Sequence, residues 1–484
     1  MTDFATIRPP TNTEPPSATA PLRPGWSSLI VGMALSLLII HLSNLHDDHI
    51  GPLSWYTTVI WSLPLVLSVQ GVAGARITRR RAHSPADPPY PSHDDGTHPV
   101  PSLVVVMPTI GRHDTLPGLE RAAHSLATEL AGHVERLRID LVVEEDCETM
   151  ADILRLCRSV PAARVLVVPR DYRTPNGTRF KARANHYALQ QRLADGEDSE
   201  HHWVLHMDDD TSLSPDAAAH IAAVIRHQAS GRGPKLHLAQ GILAYPRPYS
   251  ARRLTWYADA VRPGCDMSFF AVTTGRGRPR SGLHGELLLI RASVEAEIGW
   301  DFGPDSLVED AQFALHFCDR HPGASTWFPA WCEGASPASF TDFVRQRERW
   351  VWGLLRLLGE PAVPVRHRLR LLPSVAIWML TPFSNPFLLL LVGLAIGNPA
   401  MAPTSPLAAA AWSFNYGFYV WLYWEGFAVN RRSCPGNPGS AWEGVVVVLL
   451  MPVFCSMECV GIVCGVMKYL RRRPVHFTVI RKPA

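Results

Sequence analysis

Trp203-Val204-Leu205-His206-Met207-Asp208-Asp209-Asp210 is the stretch on which the fold turns. A short apolar run stops abruptly in three carboxylates. A run of that length, bounded by polar residues, suits a strand covered on both faces. Ser214, Pro215 and Asp216 then mark a helix start: a capping hydroxyl, a proline in the first turn and an acid beside it. The same alternation repeats upstream. Leu103 to Met107 is a continuous apolar run and Leu116 to Leu130 has helical spacing. Ile139 to Val143 is strand-like, Met150 to Cys157 helical, Val165 to Val168 strand-like and Lys181 to Leu193 helical. This βαβαβαβ order predicts an α/β domain with a mostly parallel, Rossmann-like sheet and helices on both faces. In such sheets ligands bind beyond the carboxyl ends of the strands. The polar signals fall there: Pro108-Thr109-Ile110-Gly111-Arg112 after one strand, Glu144-Glu145-Asp146 after the next, Asp208-Asp209-Asp210 after a third.

The flanks differ in kind. The 484 residues are 47% hydrophobic and 18% charged, against roughly 25% charged in ordinary globular domains. The mean hydropathy of +0.02 is then an average of two unlike parts. Residues 1–25 are rich in Pro, Thr and Ser and read as a disordered tail. Residues 26–75 hold two stretches without Asp, Glu, Lys or Arg, Trp26 to Leu45 and Leu53 to Ala75, each long enough to span a bilayer. Arg76, Arg79, Arg80 and Arg81 follow, so the positive-inside rule sets what comes after in the cytoplasm. Residues 84–100 form a Pro-, His- and Asp-rich linker, and 101–358 have the composition of a soluble domain. Three more apolar stretches fill 371–468: Leu371 to Gly397, Pro406 to Trp424, and Gly444 to Met467, the last containing Glu458. Three spans there would leave the basic tail 469–484 outside, against the charge rule. Leu371 to Gly397 is broken by Pro382 and Pro386, which suits a re-entrant element and four true spans. Glu458 reads equally as a helix-packing contact or a substrate contact. The chain is thus expected to be a multi-pass membrane protein with a cytoplasmic catalytic domain, and its Ala-, Arg- and Pro-rich composition points to a bacterial plasma membrane.

A net charge of +3, from 46 basic and 43 acidic residues, gives no support for nucleic acid as a partner. The nine cysteines show no metal-finger spacing, and their odd number argues against a disulfide framework.

Carboxylates as dense as these repel one another unless a cation joins them. A divalent ion with a diphosphate is an economical explanation, since Mg²⁺ is usually held by one or two carboxylates plus phosphate oxygens. Asp208 and Asp210 point the same way on an extended chain; a solvated turn explains the pair alone equally well. Glu309 and Asp310 precede a helical run and alone would be helix N-terminal acids. In Gln346-Arg347-Glu348-Arg349-Trp350 helical spacing puts Gln346, Arg349 and Trp350 on one face. Arg suits phosphate, while an amphipathic helix on the membrane surface also accounts for the segment. Lys181 and Arg183 sit on a helix after the Asn176-Gly177 turn; a solvated face is favoured for Arg183. His201, His202 and His206 lie near the Asp run, but His201 is on the other strand face and zinc is disfavoured.

Taken in order, strand-end acid, basic helix, Asp-x-Asp, Glu-Asp and Gln-x-x-Arg-Trp before membrane stretches, the sequence from about Pro101 to Gly353 resembles the membrane-bound family 2 glycosyltransferases. His284-Gly285-Glu286 through Ile298-Gly299-Trp300-Asp301, with Glu309-Asp310, looks most like the egghead-type β-mannosyltransferases. The resemblance implies a GT-A domain and an inverting transfer from GDP-mannose or a UDP-sugar to a membrane-held glycolipid or glycan, forming a β-glycosidic bond. It implies Mg²⁺ or Mn²⁺ on Asp208 and Asp210, and Asp310 as general base. Donor contacts would come from Thr109, Asp146, Lys181, Asp208, Gln346, Arg349 and Trp350. Glu144-Glu145-Asp146 departs from the commoner Asp-Asp-Gly pattern, which leaves the base contact open. The rivals are a processive polysaccharide synthase, a transporter, which would carry repeated membrane halves, and a catalytically dead sugar-binding protein.

Overall fold

The computed structural model describes residues 5–6, 22–44, 52–82, 101–134, 136–231, 233–397, 401, 403, 405–434 and 440–473. The expected linker 84–100, most of the tail 1–25 and residues 474–484 lie outside these.

Among the described residues nine strands form one sheet: β1 (Ala5–Thr6), β2 (Ser102–Thr109), β3 (Arg136–Glu144), β4 (Ala163–Val168), β5 (His202–His206), β6 (Ser212–Leu213), β7 (Leu238–Ala244), β8 (Leu288–Arg291) and β9 (Ser325–Glu333). The apolar run in β2 is continuous because both faces are covered. Leu103, Val105 and Met107 pack with Leu119, Ala122 and Leu126 of the Leu116–Ala131 helix. Val104 and Val106, on the other face, pack with Ala184 and Ala188 of the Phe180–Ala194 helix. Strands β4, β3, β2 and β5 run parallel, with Leu103 level with Leu137 and Trp203.

Beyond β5 the sheet departs from the mostly parallel expectation. β8 is antiparallel to both β5 and β7, β7 pairs parallel with β9, and β6 is antiparallel to β9. The sheet is therefore mixed. The cause is where the chain enters: Leu288 starts β8 opposite His206, which ends β5. Glu286 thus arrives at the carboxyl edge of β5, beside Asp208, and the strand that follows must run the other way. The proposed disordered tail is also partly ordered, since Ala5 and Thr6 pair with Leu137 and Arg136.

Among the described residues two helices are long and apolar enough to cross a membrane, Leu53–Arg81 and Met451–Leu470. Ser27–Leu42 and Pro386–Ala395 are apolar but shorter, so composition and length do not establish four or five spans. The Leu371 to Gly397 stretch is interrupted as its prolines predict, into helices Val365–Met379, Thr381–Ser384 and Pro386–Ala395. Pro406–Arg432 is one helix of 27 residues. Gly444 to Met467 is divided at Leu450, just before Pro452, into Ala441–Leu449 and Met451–Leu470. All nine cysteines are free thiols.

Candidate active site

The carboxyl edge of the sheet opens into a cavity of about 970 Å³. Thr109 ends β2, and its hydroxyl donates to Asp209 Oδ2 at 2.7 Å. Gly111 follows with φ +60°, a left-handed bend that suits glycine, and its N–H donates to Thr109 Oγ1 at 3.2 Å. Asp208 is ion-paired with the Lys181 ammonium. Lys181 is held from below by the loop in front of its helix. Asp301 accepts from Thr174 Oγ1 at 2.6 Å, Thr178 Oγ1 at 2.7 Å and Asn176 N at 2.8 Å. Phe180, immediately before Lys181, has φ +58°, and Leu287, immediately after Glu286, has φ +50°. Non-glycine residues in that region are strained and concentrate at working sites.

Gly285 lies between Lys181 and the Glu309–Arg320 helix. A Cβ there would collide with Lys181 Nζ and lie 3.8 Å from Asp310 Oδ2. The glycine is what lets the ammonium and the Asp310 carboxylate approach one another. Burial would lower the Lys181 pKa, but Asp208, Glu309 and Glu286 outweigh it and hold the group above its ordinary value. Burial pushes Asp310 up from the usual carboxylate range, with Lys181 acting against it. Glu309 is raised by burial and by Asp310. Glu286 is pushed up to about 7, by burial first and then by Asp208. Asp310 lies in the first turn of its helix, with Oδ1 accepting from Ala311 N at 2.7 Å.

The Phe340–Leu358 helix starts at Ser339, whose hydroxyl accepts from Asp342 N at 3.1 Å. Its residues Gln346, Arg349 and Trp350 all line the cavity. Arg347 between them is fully buried and organises the face. It donates to Gln346 Oε1 at 2.6 Å, Asp259 Oδ1 at 2.7 Å and Glu458 Oε2 at 2.9 Å. Its guanidinium lies 4.5 Å from the Trp350 ring centre, and that of Arg262 lies 4.8 Å from it. Glu458 also accepts from Trp378 Nε1 at 2.9 Å, so the helix-packing reading of this residue holds, and it lines the cavity as well. At that end the wall passes to Ile377, Tyr419, Leu422 and Tyr423 on the apolar helices.

Two residues differ from the sequence expectation. Asp146 is exposed, 3.8 Å from Arg170, and is not on the cavity wall. The acid that reaches the wall from β3 is Glu144, paired with Arg183 at 2.5 Å. Arg183 is therefore a half-buried ion-pair partner rather than part of a solvated face. The histidines are structural: His206 Nε2 lies 2.8 Å from Glu295, which also takes Arg192 and Trp300 Nε1, and His202 is bonded to Ser199.

Residues 203–424 match the family model Glycosyl transferase family group 2. The match covers just under half of the chain. Over 228 residues the chain is 30% identical to "Beta-1,4-mannosyltransferase egh" of Drosophila melanogaster, covering 46% of this chain and 47% of that protein. Over 227 residues it is 26% identical to "Beta-1,4-mannosyltransferase bre-3" of Caenorhabditis elegans, covering 46% and 48%. The chain spans about half the length of the curated relatives it matches. Among solved structures, S. aureus TarS 1-349 in complex with UDP-GlcNAc aligns at 13% identity and TM-score 0.33, over 78% of this chain and 94% of that one.

The matched segment contains Asp208, Asp310, Gln346, Arg349 and Trp350, and it adds two groups from the His284-Gly285-Glu286 stretch to which the sequence assigned no role. Glu286 is one. The other is His284, whose Nε2 is 2.6 Å from Asp266 and whose ring stacks on Phe270 at 4.3 Å. The His284 pKa is lowered by burial but raised on balance by Asp266. Among the described residues no three His, Cys, Asp or Glu side chains gather as a metal-ligand set. Asp208 and Asp210 both reach the cavity, and Asp210 Oδ2 accepts from Ala335 N at 3.3 Å. Two hard oxygen donors would suit a Mg²⁺-like ion, which is usually held by one or two carboxylates with phosphate oxygens.

Proposed function

We propose that this protein is an inverting glycosyltransferase. It would move a sugar from a nucleotide-sugar, GDP-mannose being favoured by the mannosyltransferase relatives, to a lipid-linked acceptor at the membrane face. The observation that carries the reading is one cavity whose polar end holds Lys181, Asp208 and Asp310 and whose other end is walled by apolar helices. A water-soluble donor and a membrane-held acceptor need such a meeting place.

In this reading the acceptor hydroxyl attacks the anomeric carbon while the nucleoside diphosphate leaves, so one displacement inverts the centre. Asp310 takes the hydroxyl proton; a carboxyl raised by burial is a better base than an exposed one. Lys181 and Arg349 face the charge that grows on the diphosphate. Mg²⁺ or Mn²⁺ on Asp208 and Asp210 would add charge neutralisation there. Thr109 fixes Asp209 at the strand end, and Glu144 with Arg183 borders the region expected for the nucleoside. Arg76, Arg79, Arg80 and Arg81, close to the domain, favour its placement on the cytoplasmic side.

The test is nucleoside-diphosphate release by the purified full chain, with a panel of sugar nucleotides, lipid acceptors and Mg²⁺ or Mn²⁺. Asp310→Asn is expected to lose at least 10²-fold in turnover while still binding donor. Full activity in that variant would remove Asp310 from its role, and no sugar-nucleotide binding by the wild type would sink the reading. Product length separates a single transfer from processive synthesis.

A further inference from the structure

We propose that Arg278, Arg280, Arg366 and Arg370 form a site for the phosphate-bearing headgroup of an anionic phospholipid, at the rim of the cavity. The loop 275–286 and the Val365–Met379 helix both pack on the Glu309–Arg320 helix, where Ala311 meets each of them. Gly323 N donates to Gly277 O at 2.8 Å, and a Cβ on Gly282 would be 3.4 Å from Ala311 Cβ. The loop therefore follows the helix along its length. Leu371 and Val375 pack on Ala311 and Leu315 of the same helix. Arg278, Arg366 and Arg370 are exposed and Arg280 is half-buried. The two elements face each other closely enough that burial, Arg370 and Arg278 together depress Arg280.

Acids do not balance this cluster. Asp319 takes Arg366 and, at 3.2 Å, His367. Glu297 is engaged by Arg320 and His321. Among the described residues one carboxylate, Asp319, is paired with this cluster, through Arg366, and the planar fork of Arg suits phosphate. The neighbouring surface says where the anion sits. Val365, Leu369 and Leu372 are exposed apolar residues on the same helix as Arg366 and Arg370. Apolar and basic side chains side by side on an exposed helix suit the headgroup boundary of a bilayer. The loop then continues into Ser281, Gly282 and Leu283, which line the cavity, so the bound lipid would stand at its mouth.

This rests on the membrane placement proposed above, and the test keeps the two apart. Full-length protein is reconstituted into nanodiscs of phosphatidylcholine, with and without phosphatidylglycerol, and the lipids retained on extraction are counted by native mass spectrometry. The wild type is expected to retain phosphatidylglycerol over phosphatidylcholine. Arg278→Gln/Arg370→Gln is expected to lose about 25-fold of that preference, at about fivefold per charge near a membrane surface, with its thermal midpoint in detergent unchanged. Inorganic phosphate at millimolar concentration is expected not to displace the lipid. Equal retention of both lipids by inserted wild type, or an unaltered preference in the variant, overturns the site. Displacement by phosphate would make it a free-phosphate site instead. Failure of the chain to enter nanodiscs overturns the membrane placement itself, and the lipid site with it.

Discussion

At the residue scale the site is a problem of one ammonium among several acids. Lys181 pairs with Asp208 and pulls down the carboxyl pKa values of Glu309 and Asp310. Removing that charge lets both rise further. The base works ionised, so the acid limb of kcat/KM is expected to move to higher pH in Lys181→Gln, with turnover at neutral pH down by roughly 10²-fold. An acid limb that stays in place would show that Lys181 does not act on Asp310. A second acid tests the fold rather than the chemistry. Burial pushes Glu333 on β9 up to about 7, from an ordinary 4.5. A folded-state pKa above the unfolded one gives stability that is complete below about 4.5 and is lost as pH rises through about 7. Glu333→Gln carries no such proton. Relative to the variant, the wild-type thermal midpoint should therefore fall between pH 5 and pH 8. A constant difference between the two proteins would mean that Glu333 is not held neutral.

At the element scale, the Phe340–Leu358 helix does two tasks with alternating residues. Gln346, Arg349 and Trp350 line the cavity; Arg347 lines it too but also ties the helix to Asp259 and Glu458, and Glu348 ties it to Lys468. Removing one partner of a buried ion network leaves uncompensated charge, at roughly 3–5 kcal/mol. Arg347→Met is expected to lower stability to unfolding in detergent by about that much, and adding Glu458→Gln should recover part of it. If the double variant is no more stable than the single one, the Arg347–Glu458 contact is not what joins these helices. The cavity-facing trio was legible from helical spacing. The anchoring pair was not, because its partners lie about a hundred residues away in sequence. The same limit explains the strands. β2 to β5 were legible as apolar runs between helices. β8 has four residues, too few for a period, and its direction follows from the edge at which the chain enters. Asp146 was the acid selected after β3, yet the strand ends at Glu144, and the two-residue difference carries Asp146 past the turn into solvent. Glu286 carried a resemblance, within His284-Gly285-Glu286, but no role, since the groups that perturb it come together only when β8 lies beside β5.

At the scale of the whole molecule, the parity of the membrane segments can be argued from contacts. Trp421 Nε1 donates to Gly25 O at 2.8 Å, and Asn415 Nδ2 donates to Trp61 O at 2.6 Å. The Pro406–Arg432 helix thus runs from the Trp61 end of the bundle back to the domain, where Asn430 Oδ1 accepts from Tyr245 N at 2.8 Å. Tyr56 Oη donates to Phe383 O at 2.8 Å, so the broken segment after Val365–Met379 reaches that same far end. The last apolar segment behaves differently. Near its start Glu443 accepts from Tyr257 Oη at 3.0 Å, and near its end Lys468 pairs with Glu348, both on the domain side. Gly461 and Gly465, four residues apart, bring it against Arg347 and Val351 with no room for a Cβ, the small-residue spacing that lets helices approach closely. On the proposed membrane placement, the re-entrant role expected of Leu371 to Gly397 would fall better to 441–470, divided at Leu450. Arg471, Arg472 and Arg473 would then lie on the side of the catalytic domain, in keeping with the charge rule. A tag fused after Ala484 should then be cut by protease in inside-out vesicles, under the same conditions that digest loops of the domain, and be protected in right-side-out ones. Protection in inside-out vesicles would mean that the Ala441–Leu470 segment crosses the bilayer, and that its contacts with Tyr257 and Glu348 are not both formed in the membrane-embedded protein.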